Sequence, residues 1–489
     1  MTFNSISFLI FLFVVVLLYW IIPHRFRYIL LLIASYFFYM CWNWKLIILI
    51  LSTTLLTYFA GLLIERANSI RIKRIYLIIT LSFCLGLLIY FKYFSFLYNS
   101  VINLLNVFGT SLENKVFDII LPVGISFYTF QTLSYVIDIY NGKYSCERSI
   151  LYYALFVSFF PQLVAGPIER PCDLIPELKK EKKPIASNFI IGFKYILIGF
   201  VRKCCIADLC GIYVDSCFSN LGSANSLATI IAAFLFLIQI YNDFAGYSEI
   251  ALGSAKLLGI DLSINFNFPL LSKSYTEFFR RWHITLNKWF TDYVYIPLGG
   301  NRKGKARKIL NTLIVFLLCG LWHGANWTFV LWGLVAGVMI SIETLLKKPV
   351  LALCVKIHLN INSNGISIFR NIVMIFLFCL SCILFRAQSL NEIGIAFSNI
   401  FTKLGFGSEY FISSFKSLGL DLNGCIYIVI AIVIMYLLKY LYNINFIEEV
   451  KNYNYCYLVL TIFIIFLIAF CWLYVSSITD SSIFQYFQF

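Results

Sequence analysis

Apolar runs of about membrane-spanning length recur along this chain, and little polar sequence separates them. Crossing a hydrocarbon core takes about 20 mostly apolar residues. Runs that meet or approach that length cover residues 6–22, 28–42, 46–64, 75–98, 117–140, 151–164 and 189–201. Others cover 227–241, 309–329, 330–346, 369–385, 425–442 and 457–474. Of the 489 residues 61% are hydrophobic and only 12% are charged, against about 25% charged in soluble domains. Such a chain cannot clothe a soluble exterior, which excludes a cytosolic enzyme, a nucleic-acid-binding domain and a disordered protein. The expected fold is an all-α, multi-pass protein of the cell (inner, cytoplasmic) membrane. It would have about ten to twelve transmembrane helices, with re-entrant and interfacial amphipathic helices. The lipid bilayer is its first partner, and no nucleic acid is implied.

The formal charge is +15, which in a membrane protein first reflects the gathering of Lys and Arg in cytoplasmic loops. Basic clusters at 66–74, 179–183 and 302–308 are expected on that side, and Arg25 and Arg27 with them, leaving the amino terminus outside. Met1–Ser5 carries no basic residue and no small-residue cleavage site follows residue 22, so the first run reads as a retained helix. Most of the fifteen cysteines lie in apolar runs and read as reduced packing residues, including the CxxC-spaced Cys379 and Cys382. No metal ligand set is apparent. The chain reads as one integral domain, 1–489: about 1–115 as amino-terminal helices, 116–387 as a catalytic core, and 388–489 as carboxy-terminal helices.

Two stretches do not read as simple spans. Residues 158–171 pack three prolines and a glycine into apolar sequence. Broken backbone is tolerated at membrane depth only where protein or a water-filled cavity surrounds it; an interfacial loop is the alternative. The second stretch, 264–308, is too polar to span and too aromatic for a free loop. Within it, at 278–290, apolar residues 279, 282, 286, 289 and 290 recur at helical spacing opposite Arg280, Arg281 and Lys288, which predicts an amphipathic interfacial helix.

The chain has four histidines. His323 falls in a run that otherwise reads as a continuous spanning helix. An ionisable group there is costly and tends to face a cavity, and imidazole suits proton transfer near neutrality. Gly320 and Gly324 would leave space beside it, and Trp322 and Trp327 could wall a cavity. A structural histidine bonded to a neighbouring helix is the alternative. His283, beside Trp282, reads either as an interfacial side chain or as a polar wall of the same cavity. The segment 239–249, with Gln239, Asn242, Asp243 and Glu249, could line a passage or bind helices together. Gly124–Tyr128 lacks the second glycine of a nucleophile elbow. Nucleotide-binding motifs and a zinc-protease helix are likewise missing.

Residues 279–302, FRRWHITLNKWFTDYVYIPLGGNR, and 320–329, GLWHGANWTF, resemble the membrane-bound O-acyltransferase superfamily. Within it they are most similar to the branch that O-acetylates alginate, peptidoglycan and cellulose. Supporting blocks are 121–131, 160–167, 239–248, the opening Phe3–Ser5 and the late Phe385–Ala387. The related D-alanyl-transferring branch shares the Arg-Trp-His helix and a Trp-His-Gly but not the run 296–302, which favours acetyl transfer. The resemblance implies transfer of acetyl, with acetyl-CoA as donor and no bound cofactor, to hydroxyls of an extracytoplasmic polysaccharide. It also implies a separate, extracytoplasmic esterase-like partner protein. His323 and His283 would be the catalytic pair. Trp282, Trp322, Asn326, Gln239 and Asp243 are substrate-channel candidates, and Arg302, Lys303 and Lys305 are donor-binding candidates, although positive-inside charge explains those three equally well. The competing functions are D-alanyl transfer to teichoic acid and a transporter without acyl chemistry.

Overall fold

The computed structural model describes residues 1–443 apart from 116, 359, 361 and 362. The span expected at 457–474 lies outside the described residues. Every regular element among the described residues is helical, as an apolar surround demands of a backbone whose amides must bond within their own segment. Among the described residues seven helices are long and apolar enough to cross a bilayer, and Ile6–Ile21 is a shorter apolar helix.

Two compact units emerge, Met1–Ile196 with Ile250–Ile264, and Leu197–Glu249 with the described residues from Asn265 onward. In the first, helices Ile6–Ile21, His24–Met40, Ile47–Arg66 and Ile125–Tyr140 are the principal elements. The run expected at 117–140 becomes helical only from Ile125, because Gly124 adopts a left-handed conformation (φ 74°) against the Leu163 carbonyl. The proline-rich stretch is broken as expected: Ile150–Ser158 stops at Phe159, and Phe160–Leu163 forms a single turn. Residues 153–171 are all buried, which answers the choice between protein interior and interfacial loop in favour of the interior. The amide freed by the break, Phe160 N–H, donates to the Ser35 hydroxyl at 3.0 Å.

The second unit holds the helices Ser226–Leu257 (to Glu249), Gly304–His323, Trp327–Lys356 and Asn364–Arg386. Three sequence expectations change here. The run 309–329 is not one span, because the helix Gly304–His323 ends at His323 and the next begins at Trp327. The amphipathic helix expected over 278–290 is two short helices, Tyr275–Arg281 and Ile284–Phe290, separated by Trp282 and His283. Its aromatic face is buried in protein, where an interfacial helix would be half exposed.

Gly320 and Gly324 leave no space for a substrate. A methyl on Gly320 would overlap the Phe329 carbonyl, one on Gly333 would overlap the Phe316 carbonyl, and one on Gly324 would overlap the Phe329 ring. These glycines let two antiparallel helices cross with their backbones nearly touching, the use membrane helices commonly make of small residues. Gly320→Ala should therefore cost about 1–3 kcal/mol in detergent-solubilised unfolding. Gly86→Ala, where an added methyl meets nothing, should be neutral or slightly stabilising.

Candidate functional site

His323 occupies the last position of its helix, where the chain turns through Gly324 and Ala325. Asn326 restarts the helix: its Oδ1 accepts from Thr328 N–H at 3.1 Å, and its Nδ2 donates to the Gln388 carbonyl at 2.8 Å. The imidazole is 7% exposed. Its ring lies 5.1 Å from Trp322, 5.3 Å from Trp332 and 5.2 Å from Phe385, all near edge-to-face. It lines a recess of about 360 Å³, open mouth included, with Phe236, Ile240, Trp282, Trp332, Phe378, Cys382 and Phe385. Helical spacing builds this wall, since Phe236 and Ile240 are four residues apart and Phe378, Cys382 and Phe385 follow at i, i+4 and i+7. Among the lining residues His323 is the one basic group.

His283 takes a left-handed backbone conformation, φ 44° and ψ 55°, between the two short helices. A bulky residue reaches that region only where its surroundings over-determine it. Here they do. Asn287 Nδ2 reaches the carbonyls of Phe279 and Trp282 at 2.7 and 2.6 Å, and that of His283 at 3.3 Å. Ile284 N–H donates to the Asn265 carbonyl at 2.9 Å, and Asn267 N–H to the Arg281 carbonyl at 2.9 Å. The Thr285 hydroxyl donates to Asn265 Oδ1 at 2.6 Å. The kink turns His283 inward, to 1% exposure, 4.7 Å from Phe244 and 5.7 Å from Trp322 by ring centroid. Burial, and after it the charge of His323, holds its imidazole well below the usual histidine range. The side chain is therefore neutral near pH 7 and does not snorkel to an interface.

Among the sequence-derived candidates, the structure brings together His323, His283, Trp282 and Trp322. Trp282 lines the recess, and Trp322 touches both imidazoles. Trp327, half exposed, is not part of the wall. Asn326 serves as a helix cap, Gln239 lies against Gly211, and Asp243 pairs with Lys203; none of them lines the recess. Arg302, Lys303 and Lys305 are exposed at the opposite end of the His323 helix. Eighteen residues separate Lys305 from His323, about 27 Å along the axis. Sequence reasoning missed Phe236, Ile240, Trp332, Phe378 and Phe385 as walls, because each reads as ordinary apolar sequence inside a span.

The stretch that holds these residues is similar to known proteins. The model of the MBOAT, membrane-bound O-acyltransferase, family matches residues 147–386. The chain is 39% identical over 347 residues to a probable alginate O-acetylase of Pseudomonas putida, covering 70% of this chain and 70% of that protein. It is 34% identical over 339 residues to a peptidoglycan O-acetyltransferase of Helicobacter pylori, covering 64% and 63%. A teichoic acid D-alanyltransferase of Streptococcus thermophilus is 28% identical over 234 residues, covering 45% and 56%.

Behind the recess, the polar residues of 239–249 bind helices together. Lys203 Nζ lies 2.8 Å from both Asp208 and Asp243, and Arg202 Nε lies 2.9 Å from Glu249. Arg202 also donates to Asn242 Oδ1 at 2.9 Å and stands over the Tyr241 ring at 5.1 Å. Both cations come from the π-helical turn Val201–Ala207. The pairs fix the register of Ser226–Leu257, whose Tyr241 touches Trp282 and whose Phe244 touches His283. Removing one member of a buried pair strands the other's charge, at about 3–5 kcal/mol. Lys203→Met should lower stability by that amount in detergent unfolding, and adding Asp243→Asn should recover part of it.

Proposed function

Because the chain belongs to the membrane-bound O-acyltransferase family, and is thus a multi-pass membrane acyltransferase, we propose that it is an O-acetyltransferase serving an extracytoplasmic polysaccharide. The donor is cytosolic acetyl-CoA. The acceptor is a hydroxyl, and a separate extracytoplasmic esterase-like protein completes delivery from the inner membrane. The observation carrying this reading is the placement of His323, a basic side chain set in an aromatic and aliphatic recess at a helix end.

In the proposed step His323 takes the proton from the acceptor hydroxyl while its oxygen attacks the thioester carbonyl. The new C–O bond forms, the C–S bond breaks, and the departing thiolate receives the proton from the imidazolium. His283 stays neutral and positions a polar group of the substrate, with Trp282 and Trp322 packing around it. Asn326, Gln239 and Asp243 act by holding helices rather than by lining a channel. Arg302, Lys303 and Lys305 meet the donor's phosphates at the membrane face far from His323, which requires an extended donor reaching along the helix.

D-alanyl transfer is the second reading, supported by the weaker similarity to a teichoic acid D-alanyltransferase. Ester-linked acetate on surface glycans of a deletion strain separates the two, since loss of esterified D-alanine instead of acetate would replace the first reading with the second. In the complemented strain, His323→Ala should lower acetylation at least about a hundredfold while membrane levels of the protein persist. Retained acetylation would remove His323 from the chemistry. Loss of a transported solute with acetylation intact would favour a transporter.

A further inference from the structure

The helix beginning at Ile70 runs 38 residues to Val107, about 57 Å. The hydrocarbon core is about 30 Å thick. Arg71, Lys73 and Arg74 hold the first turn at one membrane face. Counted from Ile75, some 20 residues cross the core, so the chain leaves it near Phe94.

Three observations coincide beyond that point. First, the α-helix is interrupted at the exit by a π-helical turn, Ile89–Tyr93, carrying Lys92 between Tyr90 and Tyr93. Aromatic residues and long cationic side chains mark membrane interfaces, and π-bulges are where helices change direction. Second, the polar face of the following helix, Phe94–Val107, is tied off. Asn99, Asn103 and Asn106 follow at i, i+4 and i+7 and bind the segment 110–115. Asn99 exchanges two 3.0 Å bonds with the Lys115 backbone, and Asn106 exchanges bonds of 2.8 and 2.9 Å with the Leu112 backbone. Asn114 donates to Asn103 at 3.0 Å. Third, the other face is bare and apolar: Leu97, Val101, Leu104 and Phe108 are 47, 55, 58 and 79% exposed.

That apolar stripe continues, turn by turn, the exposed face Ile75, Ile79, Phe83, Tyr90 and Phe94 of the preceding span. That face is exposed along a helix apolar enough to cross the core, where hydrocarbon surrounds such a face, and no charged residue interrupts it at the exit. We propose that residues 94–108 lie along the membrane surface opposite the basic 66–74 loop, with the stripe Leu97, Val101, Leu104 and Phe108 set into the lipid and the asparagine-bound strap turned to water. Continuity with the lipid-facing span argues for lipid over a protein partner as the occupant.

Site-directed nitroxide labelling of the full chain tests this in nanodiscs of phosphatidylethanolamine and phosphatidylglycerol. Reactive native cysteines, including the exposed Cys41 and Cys172, are first replaced by serine. Labels are placed by Val101→Cys, Leu104→Cys and Glu113→Cys, with Ile79→Cys as the reference within the span. Labels at 101 and 104 should show an oxygen-to-nickel-chelate accessibility ratio close to that at 79 and several-fold above that at 113. A ratio at 104 matching that at 113 would place the stripe in water and overturn the proposal. Shielding of 101 and 104 from both reagents would overturn it too, identifying a protein as the occupant.

Discussion

In hydrocarbon a backbone amide or carbonyl without a partner costs several kcal/mol, and that penalty governs where this chain departs from helix. The breaks at 159 and 282–283 are buried in protein, and at 324–326 Gly324 is buried while Ala325 and Asn326 are half-buried. A short side chain meets each break. Ser35 takes the Phe160 amide, Asn287 and Asn265 clamp the turn at His283, and Asn326 restarts the helix after His323. Two of the three breaks carry a histidine. A histidine in mid-helix points wherever its helical face points, whereas one at a break can be aimed across the fold. The arrangement of the recess therefore depends on satisfied irregular backbone.

Much of this was legible in the sequence and some was not, for physical reasons. Apolar length alone announced helices such as Ile47–Arg66 and Asn364–Arg386, because periodic burial leaves a plain record. The two histidine blocks drew attention through residue type. Neither helix break was visible, since Trp282–His283 fits an amphipathic pattern and Gly324 fits a tolerated glycine within a span. Their causes lie outside the local pattern: Asn265, twenty residues earlier, holds the turn at His283, and the Phe329 ring of the following helix packs against Gly324. The recess wall was hidden too, because Phe378 and Phe385 cannot be told from lipid-facing phenylalanines until the helices are packed. The ion pairs at Arg202 and Lys203 had a signal, charged residues inside an apolar run, which resolves the role of Asp243 once their partners are seen.

Charge in this protein is partitioned by burial. Residues 273–308 hold nine basic and two acidic residues, so +7 of the net +15 falls in 36 residues. Arg302, Lys303 and Lys305 within it are exposed. The buried cluster behind the recess instead sets two cations, Arg202 and Lys203, against three carboxylates. Solvated cations at a membrane face answer to topology and to anionic ligands. Buried ones answer to their partners, which is why Lys203 reads as a fastening and Arg302 does not.

The apolar lining of the recess has a consequence for the proposed chemistry. A thioester can pass its acyl group to any hydroxyl that a base deprotonates, water included. Beside His323 stand Phe236, Ile240, Phe378 and Phe385, which offer water no hydrogen-bonding anchor. A water molecule held by few polar groups is poorly placed for attack, whereas an acceptor hydroxyl delivered with the rest of its sugar brings its own binding interactions. The wall thus favours transfer over hydrolysis by exclusion, and it needs only one basic group to do so. A second protonatable imidazole in the same space would draw in water to solvate its charge. The burial that keeps His283 neutral is, on this reasoning, part of what keeps the site dry.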